Sequence, residues 1–140
     1  MFKKEEELIR YSYHVAGTVG IMMCDALNCD NVLAKSFAID LGIAMQLTNI
    51  ARDVLEDAKM GRRYLPGSWV QNISPKEIVL AAKTNDLKKI RIISKGIKKL
   101  LILSEQYYRS GERGFVFLPL NTRIAISVAS GVYREIGVQL

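Results

Sequence analysis

The chain has 140 residues, 49% of them hydrophobic and 24% charged, with a formal net charge of +6. That suffices for one domain with a real core, or part of one, and is too little for two. Its 20 basic residues are scattered among 14 acidic ones, so the charge permits an anionic partner without identifying any, and no basic-aromatic arrangement suggests nucleic acid.

No run reaches the roughly 18 apolar residues of a spanning helix, and the opening MFKKEEELIR is too acidic for a signal or transit peptide. Cys24 and Cys29, spaced C-x4-C with no His or second Cys pair nearby, argue against zinc and for reduced thiols in a cytoplasmic protein, soluble or peripherally attached.

Apolar residues recur at helical spacing over long windows while Pro and Gly are sparse, which predicts a nearly all-α fold. The first helix is expected from Glu5 to Leu27 and the second from Val32 to Lys59, stopped by Gly61. GRRYLPGSWVQNIS follows as the main loop, with Trp69 packing inside it. Ser74, Pro75 and Glu77 make an N-cap, a first-turn proline and a capping-box acid, opening a short helix to about Lys83. NDLKKIRIISKGIKKLLILSEQYYRSGE reads as a third long helix and the last follows Pro119 to about Val138. GFVFLPL between them is expected to be an extended connector, because a lone strand has nothing to pair with. Both ends of the chain read as cut from something larger.

The second helix carries the chemistry. At about 100° per residue, Gln46, Asn49, Asp53 and Asp57 fall within roughly 80° of one another, while Leu47, Ile50 and Val54 fill other directions. Two carboxylates four residues apart, with an amide oxygen one turn earlier, offer hard oxygen ligands suited to magnesium and a diphosphate. Arg52, Arg62 and Arg63 are placed to add charge-assisted bonds to phosphate oxygens. A solvated face with charge pairs at helical spacing is the simpler reading of D-x-x-x-D alone. Glu56 sits at the stripe's edge, as a partner for Lys59. His14, the only histidine, reads as structural, which leaves no base for a Ser-His-Asp or Cys-His site.

Gly17 and Gly20 each cost about 1 kcal/mol of helix stability relative to Ala. They mark a close approach, either tight helix packing or a pocket wall. The run Lys88, Lys89, Arg91, Lys95, Lys98 and Lys99 is a solvated face or, less simply, a surface for anionic lipid.

YSYHVAGTVGIMM, LGIAMQLTNIARDVLEDAKMGRRYLP and YYRSGERGFVFLPLNTRIAISVASGVYREIG, in that order, resemble consecutive blocks of the squalene/phytoene synthase family, and most of all bacterial phytoene synthases. Only the segment after Ser74 is loosely similar. The resemblance implies an all-α isoprenoid synthase that joins two prenyl diphosphates head to head with magnesium, or manganese in its place. It implies Asn49, Asp53 and Asp57 as metal ligands, Gln46 and Arg52 on the diphosphate, and Tyr11, Val15 and Gly20 on the substrate. It also implies Tyr64 and Tyr133 near the reacting centre, with Asp53, Asp57 and Tyr133 catalytic. Tyrosine faces can stabilise an allylic cation.

The first aspartate-rich motif of such enzymes and the tail after YREIG are missing. The chain is therefore expected to be the C-terminal half of a phytoene synthase, weakly active or inactive alone unless a partner chain supplies the other half. A squalene-forming or shorter-chain relative, or a noncatalytic scaffold of the same fold, are the alternatives, the latter disfavoured by the retained Asn49, Arg52, Asp53 and Asp57.

Overall fold

A computed structural model describes residues 1–140. The chain is all helical: α1 (Glu5–Ser12), a π-helical turn (Tyr13–Gly17), α2 (Thr18–Ala26), α3 (Val32–Arg52), α4 (Val54–Lys59), a 3₁₀ turn (Gly67–Trp69), α5 (Pro75–Thr84), α6 (Leu87–Glu112), a second 3₁₀ turn (Arg113–Phe117) and α7 (Leu120–Gln139). No helix is long and apolar enough to cross a membrane.

α3 is the axis. It packs on α6, α2 and α7, and supplies Ile43, Leu47, Ile50 and Ala51 to a core shared with Leu8, Ile93, Leu100 and the loop residues Leu65, Val70 and Ile73. The apolar face of α6 points at α3, so its cations point outward: Lys88, Arg91, Lys95, Lys98 and Lys99 are exposed, and Lys89 is tied to Glu77 at 3.0 Å.

Local chemistry sets the boundaries. The Asn31 side chain accepts from the Leu33 N–H at 2.8 Å to start α3. Both arms of the Ser74–Glu77 capping box are present, and the bonds from Ser74 hold the Glu77 carboxyl down at about 2. Asn85, in left-handed conformation at φ 54°, ends α5. Gly61, at φ 76°, terminates α4 in the same conformation.

Three expected elements differ. The first helix is interrupted by the π turn, where the Thr18 N–H reaches back to the Tyr13 carbonyl and the Thr18 hydroxyl donates to the His14 carbonyl at 3.0 Å; the extra residue per turn re-phases the faces on either side. The second helix is broken at Asp53 (φ −99°, ψ 13°), although the Asp53 N–H still donates to the Asn49 carbonyl at 3.0 Å and the Asp53 carbonyl accepts the Asp57 N–H at 2.8 Å. The Asp53 side chain makes no backbone bond at this break and is held instead by the Arg52 guanidinium. The connector is coiled into a 3₁₀ turn over Arg113–Phe117, because α6 runs directly into it, and only Leu118 and Pro119 are extended.

Candidate functional site: an apolar trough with a polar end

α2 and α3 lie antiparallel with their backbones in contact. A Cβ on Gly20 would collide with the Ala38 carbonyl, and one on Gly42 with the Ala16 carbonyl. Gly20 is thus both a packing residue and a wall of the adjoining cavity, whereas Gly17 is buried against Tyr13 and Ile39.

Beside this seam runs an apolar trough of about 330 Å³, bounded by α2, α3, the second 3₁₀ turn and α7. Val15 and Gly20 line one wall, Phe115 and Ile126 the other, and Gln46 and Asn49 bring its polar groups. The Asn49 Oδ1 is buried with no hydrogen-bond partner. A carbonyl oxygen left so is costly unless something arrives to use it.

From Asn49 the polar stripe continues along the surface. Gln46, Asn49, Asp53 and Asp57 are all half-buried, as their spacing predicts. Arg52 donates to both Asp53 oxygens, Nε to Oδ1 at 2.7 Å and Nη2 to Oδ2 at 2.8 Å. This guanidinium holds the Asp53 carboxyl below the usual carboxylate range, against the upward push of partial burial. Asp57 goes the other way: burial raises it, the Asp53 charge adds to that, and Arg62 opposes. Glu56 pairs with Lys59 at 2.6 Å, off the stripe.

Aromatic groups flank the stripe on two sides. Tyr11 stacks on Tyr64 with ring centroids 5.1 Å apart and Phe2 closes the trio; burial first, then Tyr64 and Asp57, push the Tyr11 hydroxyl up to about 12. Tyr133, on α7, lies near the Arg52 guanidinium. Tyr11 and Tyr64 therefore gather by Asp57, outside the trough that Val15 and Gly20 line, and Tyr133 stands by Arg52.

Arg63 does not join them. It is 8% exposed and spends its guanidinium on the Ile73 carbonyl (2.6 Å) and the Phe2 carbonyl (3.3 Å), fastening the main loop and the N-terminus together. Burial lowers its pKa. Arg62, exposed beside Asp57, remains available to an anion.

Two features escaped the sequence. The second wall of the trough comes from the connector itself and from α7, signalled only by Gly114, which packs on Phe37. The other is an ionic staple: Arg134 grips Glu105 with Nε (2.8 Å) and Nη2, and Glu112 with Nη1 (2.8 Å), while Arg109 also holds Glu105 at 2.9 Å.

Asn49, with an unused oxygen, and Asp53 and Asp57, with carboxylates at successive turns, are oxygen donors of the type magnesium takes, although Arg52 engages both Asp53 oxygens. The set is incomplete, since no group of three or more His, Cys, Asp or Glu side chains converges to hold a metal.

A family model described as squalene/phytoene synthase matches residues 1–140. The 15-cis-phytoene synthase of Enterobacter agglomerans is 40% identical over 135 residues, which are 96% of this chain and 44% of that protein. The crystal structure of squalene synthase HpnC from Alicyclobacillus acidocaldarius superposes with a TM-score of 0.84 at 16% identity, covering 99% of this chain and 51% of that one. A dehydrosqualene synthase in complex with ligand follows at 0.73 and 27%, covering 96% and 46%. The chain spans about half the length of the proteins it matches.

Proposed function

The chain belongs to the squalene/phytoene synthase family, a prenyltransferase family of isoprenoid biosynthesis, and on that premise we propose that it is one wall of a site that condenses two geranylgeranyl diphosphates head to head to phytoene. One observation carries this reading: an apolar trough ends at a buried, unpartnered Asn49 oxygen from which Asp53 and Asp57 continue outward. A long hydrocarbon with an anionic head has that polarity.

In this reading Gln46 and Arg52 bind the diphosphate, and Arg62 steadies it from the rim. Asn49, Asp53 and Asp57 would hold magnesium, which when bound would supply charge neutralisation for a leaving diphosphate. The trough walls keep water from the carbocation; Tyr11 and Tyr64, which stack on each other beside Asp57 and do not line the trough, are the aromatic groups nearest the carboxylates. Tyr133 stands beside Arg52, positioned toward the same end.

The facing wall, with its own carboxylates, comes from residues outside this chain, whether in a longer polypeptide or a separate partner. Alone, the chain binds a diphosphate and turns it over weakly or not at all. The higher identity to phytoene synthases favours a C20 substrate over the shorter one of squalene-type enzymes.

The test is binding of a nonhydrolysable geranylgeranyl thiolodiphosphate with and without Mg²⁺, by calorimetry. Magnesium-dependent binding that Asp53→Ala abolishes supports the synthase reading; its absence favours the noncatalytic scaffold. Incubation with geranylgeranyl diphosphate and Mg²⁺ tests the incompleteness, since rapid phytoene formation by this chain alone would contradict it.

A further inference from the structure

The net charge is not spread over the bundle. Eight basic and two acidic residues lie between Pro75 and Ser104, and the remaining twelve of each sign cancel, so the whole +6 belongs to α5 and the greater part of α6. From Leu87 to Ser104, α6 carries six cations and no acid. Lys89 is neutralised by Glu77 at 3.0 Å. The other five, Lys88, Arg91, Lys95, Lys98 and Lys99, are exposed.

This face is amphipathic as well as charged. At about 100° per residue, Leu87, Arg91, Lys95, Lys98 and Ile102 fall within roughly 80° of one another. Leu87 and Ile102 are 70% and 54% exposed among those cations. At the edge of the face Lys99 lies over the Trp69 ring, 5.9 Å from its centroid. Trp69, Ile102 and Leu103 wall an open notch of about 330 Å³ there. The buried side of α6 packs on α3, and none of these residues lines the trough. The face is therefore free to engage a partner while the trough is occupied.

We propose that the outer face of α6 docks the protein on an anionic lipid bilayer. A helix with several unneutralised cations is drawn to a negatively charged surface, gaining about fivefold in affinity for each cation close to it. Leu87 and Ile102 then reach past the headgroups into an apolar layer, and Trp69, an apolar ring with a polar N–H, suits the level between the two. A nucleic acid would satisfy the charge but offers no such layer to the two aliphatic side chains.

The test is partitioning of the whole chain onto vesicles of phosphatidylcholine, alone or mixed with phosphatidylglycerol, by cosedimentation. Binding is expected only with phosphatidylglycerol and is expected to fall at least about tenfold between about 0.1 M and about 1 M salt. Arg91→Gln with Lys95→Gln is expected to weaken it by at least about tenfold. Arg10→Gln with Lys35→Gln removes the same charge from other helices and is expected to change it by less than about twofold. Leu87→Ser with Ile102→Ser, at constant charge, is expected to weaken binding severalfold. Trp69 is the only tryptophan, so its emission should shift to the blue on the anionic vesicles and be quenched by brominated acyl chains.

No partitioning onto anionic vesicles, or equal losses in the two charge-removing pairs, would overturn the proposal. So would binding to a mixed-sequence oligonucleotide that is tighter than binding to vesicles and indifferent to the aliphatic pair, since that would give the face to nucleic acid.

Discussion

Arg52 and Asp53, neighbours in sequence, face each other in a fork of two hydrogen bonds, Nε to Oδ1 at 2.7 Å and Nη2 to Oδ2 at 2.8 Å. Four residues on, Asp57 has no such partner and is pushed up by burial and by the Asp53 charge. The two carboxyls are thus split: Asp53 titrates below the usual carboxylate range and Asp57 above its ordinary value. Carboxyl-detected NMR titration is expected to show this order, and Arg52→Gln to move Asp53 upward. Asp53 contributes stability above its unfolded-state pKa that is lost as pH falls through the lowered folded value; its side chain is 36% exposed, so solvent keeps that contribution small.

Asp57 carries the opposite sign. Its folded pKa is raised, so ionisation at neutral pH works against folding, and the penalty is relieved as pH falls through the raised value toward the unfolded one. Asp57→Asn is expected to keep the melting temperature or raise it by up to a few degrees. The same substitution should remove Mg²⁺-dependent diphosphate binding. A clear drop in melting temperature would mean that Asp57 holds the fold together rather than a ligand.

The adjacent arginines separate stability from binding. Arg63→Met leaves the Ile73 and Phe2 carbonyls without their donor and is expected to cost about 2–3 kcal/mol in urea unfolding. Arg62→Met removes an exposed side chain and is expected to shift stability by less than about 0.5 kcal/mol. Only the Arg62 variant should lose thiolodiphosphate affinity while fully folded, because Arg62 alone of the two faces solvent beside Asp57.

This pair also shows what was legible in the sequence and what was not. The polar stripe, the capping box at Ser74 and the basic outer face of α6 rest on spacing within one helix, which residue order states directly. Nothing local distinguishes Arg62 from Arg63, because the acceptors that draw Arg63 inward lie 10 and 61 residues away. The break at Asp53 and the π turn at Tyr13–Gly17 are small departures from one helical period, invisible to a reading that assumes a constant one. The trough needed Phe115 and Ile126 to fold back over α3, a long-range event. Gly20 was ambiguous for the same reason: whether a missing side chain admits a helix or a ligand depends on what stands opposite.

Glycines therefore offer a direct test of the seam. Gly20→Ala drives a methyl group into the Ala38 carbonyl, a backbone atom with little freedom to retreat, and is expected to destabilise by about 1–3 kcal/mol. Gly131, in the middle of α7, has nothing within 4 Å of the place a Cβ would take. There the helical preference of alanine acts unopposed, so Gly131→Ala is expected to stabilise by about 0.5–1 kcal/mol. Chemical denaturation of both variants checks the contrast. Similar effects at the two sites would mean that α2 and α3 are not in backbone contact.

The last helix depends on the ionic staple. Ser130 is the one fully buried residue of α7, so little apolar burial fixes its position, and Arg134 gathers Glu105 and Glu112 of α6 around one guanidinium. The bonds to Arg134 hold the Glu105 carboxyl below its ordinary value, against the push of burial. These side chains are 32–38% exposed, so the global cost of Arg134→Met is expected to be modest, about 1–2 kcal/mol, and to shrink at high salt. The local effect should be larger: amide exchange in α7 is expected to quicken while α3 and α6 keep their protection. Tyr133 adjoins Arg134 in sequence and sits near Arg52, so loosening α7 should also move Tyr133 relative to that guanidinium, visible as a changed Tyr133 environment by NMR. Arg134→Lys keeps the charge but not the fork and should recover only part of the protection. Uniform acceleration of exchange across all helices would instead mean that the staple supports the whole bundle.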